Sequence, residues 1–436
     1  MKLFGFSGGV HPPERKELTE EKKIEVLKPP KYLYISLLQH IGAPLDSVVE
    51  KGAIVKKGEK IADSKAFLSV PVHSPVSGKV VDIEVMPYAV SGKIKTIVIE
   101  NDEQEREVEY SGNSDYLKLT KEELLSKIRE MGVVGQGGAA FPTHVKLNPP
   151  ADAKIDTLLI NGAECEPYLN SDNRVMIEHP KEIIEGIKIM LHILGIRRAI
   201  IAIENNKKNA IEILKRETAG TDIEIAVLPT KYPQGGEKQL IKAVLNRVVP
   251  AKKLPSEVGV VVQNVSTAKA VYDSVVLGRP LIERVVTVSG KGVKNPVNIL
   301  ARIGTQFKEM LEYAEFDEAK TDKIVMGGPM MGIAQYSSSV PMIKGTSGLL
   351  ALTAEEIGNI KRRSCISCGK CIEACPMNLM PLNYALCAKF EKWEEMDRYN
   401  LMDCIECGSC AYTCPSKRPL TEAIKIGKAK LRSMKK

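Results

Sequence analysis

Between residues 155 and 280, short apolar runs alternate with longer stretches whose apolar residues recur every three or four positions. The runs Asp156–Asn161, Ala199–Ile203, Ile223–Leu228 and Val258–Val262 read as buried strands. Lys181–Leu194, Lys207–Thr218 and Glu237–Asn246 read as the helices between them. Strands alternating with helices predict βαβ units and a mainly parallel, doubly wound sheet. A further helix, Lys121–Met131, precedes the first strand. Residues 31–105 differ, with short strands between Gly and Pro turns. Residues 284–350 change character again. The pattern there predicts a strand at Arg284–Gly290, a break at Asn295-Pro296, an amphipathic helix from Pro296 through Gly304, and a returning strand at Ile324–Met326. That order suggests a small β-grasp-like module. From about residue 355 the chain reads as helical, and the polar, Pro-punctuated residues 1–30 read as covering a neighbouring surface.

At 436 residues the chain has room for several domains, and 44% hydrophobic content supplies their cores. The longest apolar stretch, Ile183–Ile203, is broken by Glu185, Lys188, Gly195, Arg197 and Arg198, too often for a bilayer span. The first residues lack a secretory pattern, and ten cysteines without an export signal point to the reducing cytoplasm. Net charge is +8, and most of it sits at one end. Lys417, Arg418, Lys425, Lys428, Lys430, Arg432, Lys435 and Lys436 face the single acid Glu422. Such a tail is either a solvated helical end or a contact for an acidic protein or anionic lipid. No aromatic platform accompanies it, which disfavours nucleic acid as a partner.

Eight cysteines fall into two copies of one pattern. Cys365, Cys368, Cys371 and Cys375 run C-x2-C-x2-C-x3-C before Pro376, and Cys404, Cys407, Cys410 and Cys414 repeat it before Pro415. This is the two-cluster ferredoxin run, in which the fourth cysteine of each copy ligates the other cluster. Cys365, Cys368, Cys371 and Cys414 are expected to hold one [4Fe–4S] cluster, and Cys404, Cys407, Cys410 and Cys375 the second. Structural zinc favours paired C-x2-C units instead. The remaining thiols, Cys165 and Cys387, read as small buried side chains.

The loop Gly135-Gln136-Gly137-Gly138-Ala139-Ala140-Phe141-Pro142-Thr143 places three glycines where backbone N–H groups can approach an anion, with Lys146 beyond it to pair a phosphate. Three turns follow strands: Asn161-Gly162-Ala163-Glu164-Cys165-Glu166-Pro167, Tyr232-Pro233-Gln234-Gly235-Gly236-Glu237, and Val262-Gln263-Asn264-Val265-Ser266-Thr267. In an open α/β sheet, residues past the carboxyl ends of strands face the ligand crevice. Each turn alone fits a helix cap, but jointly they describe a ligand site. The six histidines offer no Ser/His/Asp arrangement, which disfavours hydrolysis. Lys65, in Asp63-Ser64-Lys65-Ala66, sits near where a carrier lysine would be attached, but reads as a solvated lysine.

The stretches Val48–Ile61 and Val70–Val80 resemble the barrel-sandwich of lipoyl and biotinyl carrier domains. The glycine loop and the three turns resemble the flavin-bearing NADH-oxidising subunit of respiratory complex I. The chain departs from that protein in its second cluster motif and its carrier-like N-terminal domain. Those departures, with Val70–Gly78 and Gly327-Gly328-Pro329-Met330-Met331-Gly332, resemble the C subunit of Rnf electron-transport complexes, over nearly the whole chain. The resemblance implies a multidomain α/β chain of four parts: a barrel-sandwich domain with its N-terminal segment at 1–110, a Rossmann-like domain for FMN and NAD(H) at 111–282, a β-grasp module at 283–352, and a helical two-cluster ferredoxin domain at 353–436. It implies Gly135, Gly137, Lys146, Asn161 and Asn264 on FMN, with Phe141, Glu166 and Glu237 near the nicotinamide nucleotide. Gly138, Glu164, Tyr232 and Gly235 complete the expected cofactor-binding set, with Glu164, Glu166 and Glu237 as hydrogen-bonding groups. Ala163 and Gly236 stand where acidic residues are expected. The implied function is a peripheral subunit, at the cytoplasmic face of the membrane, of an ion-translocating ferredoxin:NAD oxidoreductase. Its expected partners are the other subunits, including a ferredoxin-like one. An iron–sulfur adaptor without nucleotide, or a subunit of a soluble flavin hydrogenase or dehydrogenase, are the alternatives.

Overall fold

The computed structural model describes residues 3–358 and 361–434. Its centre is a sheet of four parallel strands, β1 (Thr157–Gly162), β2 (Ala199–Glu204), β3 (Ile223–Leu228) and β4 (Val260–Asn264), in the order β3-β2-β1-β4. Strand β2 is buried along its whole length, as expected of an apolar run sandwiched between helical layers. The helices are α1 (Lys121–Glu130), α2 (Ser171–Glu178), α3 (Pro180–Leu194), α4 (Lys208–Glu217), α5 (Glu237–Leu245) and α6 (Val265–Val275). Helix α1 starts at a capping box in which Thr120 and Glu123 satisfy each other's backbone N–H groups. Helix α3 ends at Gly195, whose φ of 66° suits the left-handed turn into β2. The strand order reverses direction between β1 and β4, so the sheet opens a crevice there.

The N-terminal unit is a small sandwich. One sheet orders Tyr32–Ser36, Lys93–Asn101, Gly78–Pro87 and Ile54–Val55; the other joins Asp46–Ser47, Lys60–Asp63 and Val72–His73. Leu33, Ile35, Ile61, Val76, Val80, Ile97 and Ile99 fill the space between them. Lys65 lies exposed in the connection from Lys60–Asp63 to Val72–His73.

The β-grasp module corrects one expectation. Residues 297–302 form a strand, not a helix: Val297–Arg302 pairs antiparallel with Glu283–Ser289, and the helix comes later, at Phe307–Tyr313. The alternating burial of Val297, Ile299 and Ala301 against the β-sheet decided the conformation over the helical spacing read from the sequence. The N-terminal residues act as a strap. Phe4 N–H donates to Ala243, Val10 bridges Tyr232, and Ile24–Val26 adds a parallel strand beside Val297–Arg302. The C-terminal unit is helical, closed by α7 (Leu420–Met434), which packs Ile424 and Leu431 on Tyr384 and Met396. Among the described residues, no helix is long and apolar enough to cross a membrane.

Candidate functional site

The glycine loop lies against the crevice between β1 and β4. Asn161 and Asn264 end these strands as register partners. Asn264 Oδ1 accepts from the Ser266 and Thr267 N–H groups at 2.8 and 3.2 Å, capping α6. Its Nδ2 donates to Asp172 Oδ2 at 2.7 Å, and Ser266 Oγ donates to Asp172 Oδ1 at 2.6 Å. The loop rests on this assembly: Gln136 N–H donates to Thr267 Oγ1 at 2.9 Å, and Arg284 donates to the Gln136 carbonyl at 3.0 Å. A Cβ on Gly137 would stand 3.0 Å from Asn264 Cβ and Nδ2, so any larger residue would press on the Asn264 side chain. Gly138 has φ of 151° and open space around a would-be Cβ, which leaves its backbone exposed. Gly135 N–H closes the loop on the Phe141 carbonyl at 2.8 Å.

The other expected residues divide into two groups. Asn161 Nδ2 donates to the Gly235 carbonyl at 2.9 Å, which brings the first and second turns together. Lys146 Nζ meets Glu237 Oε1 at 2.6 Å, with both side chains about one-third exposed. Lys146, expected on the phosphate, and Glu237, expected near the nucleotide, are therefore paired with each other. Glu164, by contrast, is a helix cap. Its carboxylate accepts from Ser171 Oγ and from the Asp172 and Asn173 N–H groups at the start of α2, so it is engaged within the fold. Glu166 is likewise engaged within the chain. It accepts from the Met330 and Met331 N–H groups at 3.0 and 2.9 Å, and the Gly328 Cβ position lies 2.1 Å from its Oε2. Glu166 thus pins the Gly327–Gly332 turn of the β-grasp module, and burial pushes its carboxyl up to about 7.

Asp172, Ser266, Gln136 and Arg284 were missed in the sequence. Only the fold shows that they support the loop. Burial and the neighbouring Glu164 carboxylate push Asp172 up to about 6. Among the described residues, Asn173 Oδ1, Gln234 Nε2 and Gln263 Nε2 are buried polar atoms without a hydrogen-bond partner. Each is adjacent in sequence to a site residue, Asp172, Gly235 or Asn264. Buried polar groups are normally satisfied, so these atoms fit a site completed by a polar ligand.

Tyr232 links this region to the cysteines. Its hydroxyl lies 2.8 Å from the Cys407 carbonyl and 3.2 Å from Glu166 Oε1, with only 2% of the residue exposed. Around it pack Val10, Ala374, Cys165 and Met330. Cys165 accepts the Gly235 N–H at 3.3 Å, and burial pushes its thiol up, in keeping with a packed side chain; Cys387 is likewise buried. The eight motif cysteines separate into two cavities. Cys375, Cys404, Cys407 and Cys410 line one, and Cys365, Cys368, Cys371 and Cys414 line the other. The fourth cysteine of each motif has crossed to the other set. The four soft thiol donors around each shared space fit a [4Fe–4S] cube. The first set is the inner one, touching Tyr232. The second opens to solvent through Cys365 and Cys368.

A parallel sheet with an anion-type glycine loop at its switch point, joined to two four-thiol cavities, defines a flavin and iron–sulfur electron-transfer protein. Residues 128–273 match the Nuo51 FMN-binding domain, 4–104 the RnfC barrel sandwich hybrid domain, 285–334 the SLBB domain and 364–417 the 4Fe-4S dicluster domain. The chain is 47% identical over 433 residues to the C subunit of the proton-translocating ferredoxin:NAD(+) oxidoreductase complex of Clostridium ljungdahlii, covering 99% of this chain and 95% of that one. It is 41% identical to the C subunit of the Na(+)-translocating complex of Acetobacterium woodii, covering 99% and 98%. It is also 41% identical to the C subunit of the ion-translocating oxidoreductase complex of Rhodobacter capsulatus, covering 99% and 84%. The chain belongs to the C-subunit family of Rnf-type ion-translocating oxidoreductase complexes.

Proposed function

We propose that the chain is the NAD(H)-side electron-transfer subunit of a membrane ferredoxin:NAD oxidoreductase, working with FMN and two [4Fe–4S] clusters. The observation that carries this reading is the continuity from the switch-point crevice to the inner thiol set at Tyr232 and Cys407. A flavin, when bound, supplies the conversion between two-electron hydride exchange with nicotinamide and the one-electron chemistry of clusters. The chain's own residues supply position. Gly137 and Gly138 let backbone approach the cofactor, held in place by Asn264, Asp172 and Arg284. Asn161 and Gly235 form the opposite wall. Lys146 and Glu237 stand at the mouth, where a cation and a carboxylate suit phosphate and ribose hydroxyls respectively. Glu166 and Tyr232 fix the seam between three units, so that the inner thiol set stays at one distance from the crevice.

The other subunits carry the ion across the membrane, since no described helix of this chain is suited to spanning it. The cytoplasmic face is the location consistent with NAD(H) as substrate and with reduced cysteines. Anaerobic purification tests the reading. Eight irons and one flavin per chain, with ferricyanide reduction by NADH, are expected. Iron without flavin, and no NADH oxidation after FMN is added back, would favour an iron–sulfur adaptor instead.

A further inference from the structure

The outer thiol set is ringed by cations with no acid among them. The segments that wall it, residues 361–371 and 414–420, contain Lys361, Arg362, Arg363, Lys370, Lys417 and Arg418, and neither Asp nor Glu. The Arg363 N–H donates to the Ser416 carbonyl at 3.0 Å, which holds the two segments side by side. Arg418 lines the cavity itself. Among the described residues, none of these six cations forms an ion pair within the chain. The nearest acids in sequence, Glu373 and Glu422, lie outside both segments. Apolar groups share this surface. Ile366, between Cys365 and Cys368, is 66% exposed, and Met380 and Leu386 flank Leu382, which lines the cavity, and are 42% and 46% exposed.

We propose that this collar is the docking surface for an acidic protein that carries a one-electron redox centre. The inference rests on the assignment of Cys365, Cys368, Cys371 and Cys414 as cluster ligands. Three physical points lead to it. In the inner set Cys375, Cys407 and Cys410 are buried, and Val10 and Tyr232 pack on Cys407, so electrons exchanged with another protein have their open route at the exposed Cys365 and Cys368. Unpaired cations around that opening attract and orient an acidic partner, and they raise its rate of encounter. Exposed apolar side chains inside a charged rim match the anatomy of a protein interface, whereas a lipid headgroup surface would meet the charges alone.

The test uses the full-length holoprotein, prepared anaerobically, and a purified acidic two-cluster ferredoxin as probe. Binding is measured against salt for the wild type, for Arg362→Glu/Lys370→Glu/Lys417→Glu, and for a control with exposed cations reversed elsewhere, Lys93→Glu/Lys208→Glu/Lys215→Glu. Iron is measured in every sample, so that a missing cluster is distinguished from a missing interface. The expected result is wild-type binding that weakens with salt, a collar variant weaker by roughly tenfold or more, and a control within about twofold, because rim charges act mainly through steering and salt-sensitive attraction. No wild-type binding at low salt overturns the proposal, as does equal loss in the control. A collar variant that loses iron but binds unchanged shows that the cations balance the cluster's own charge. A variant that no longer sediments with phosphatidylglycerol-containing vesicles yet still binds ferredoxin shows a lipid surface. Both results overturn it.

Discussion

Replacing Tyr232 by Phe removes one hydroxyl and almost nothing else. The ring stays, so no cavity opens in the group formed with Val10, Ala374 and Cys407. What is lost is the donor to the Cys407 carbonyl at 2.8 Å, together with the polar contact to Glu166 at 3.2 Å. The Cys407 carbonyl then sits at a buried seam without this partner, and leaving such a group unpaired costs about 1–3 kcal/mol. At 1.4 kcal/mol per tenfold, local opening of the seam becomes about 5- to 150-fold more frequent. Amide hydrogen exchange reads this directly. The Gly9 and Val10 N–H groups donate across the seam to Ala374 and Tyr232, so their exchange is expected to accelerate by that factor. Amides of Ile97–Ile99 in the sandwich serve as an internal reference and should not change. Seam amides that exchange within twofold of the wild type would refute the argument that this hydroxyl ties the α/β domain to the inner thiol set.

Gly137→Val should abolish flavin retention, because its Cβ meets Asn264 at 3.0 Å and displaces the cap of α6; normal flavin content would show the loop to be structural only. Cys375→Ser should damage the inner cluster, held with Cys404, Cys407 and Cys410, and spare its neighbours in sequence, as read by EPR and iron analysis. Lys344 provides a pH test. Its Nζ is buried against the Pro71 and Gly132 carbonyls, and burial lowers it to about 7. The folded chain therefore gives up this proton before the unfolded chain does, so its contribution to stability rises from pH 7 toward 10.5, the ordinary lysine value, and is flat below 7. The difference between the wild type and Lys344→Met should shift toward the wild type by roughly 2–4 kcal/mol between pH 7 and 10, measured by urea midpoints; a pH-independent difference would rule this out.

The sequence made the central sheet legible because each of its strands is a short β-branched run ended by a turn. Ile223–Leu228 is a strand over the same residues in the structure, and Ala199–Ile203 is extended only by Glu204. Cysteine spacing carried the crossed pairing of thiols, since a short motif fixes which sulfurs share a face. Legibility failed where meaning depended on distant partners. Val297–Arg302 has an apolar pattern compatible with either conformation, and its strand identity comes from Glu283–Ser289 on one side and Ile24–Val26 on the other. Glu164 and Glu166 are two residues apart in one acidic turn. One caps α2 seven to nine residues away, while the other reaches the Met330 N–H across 164 residues. Nothing local separates those roles. Asp172 was invisible for the same reason, because its partners Asn264 and Ser266 lie on another strand-to-helix turn.

The strap sets an order of events during synthesis. Ser7 donates to Asn378, 371 residues later, and Gly9 and Val10 close on Ala374 and Tyr232. At about 5–20 residues per second, the ribosome needs roughly 20–70 s to deliver the second half of that contact. The sandwich and the four-stranded sheet are complete well before then, but the first residues of the chain have no finished seat. They must wait for the last domain, on whose Ala374 and Asn378 they close. Residues 7–10 are thus made long before the partners that fix them, and their placement is a late event in the folding of the chain.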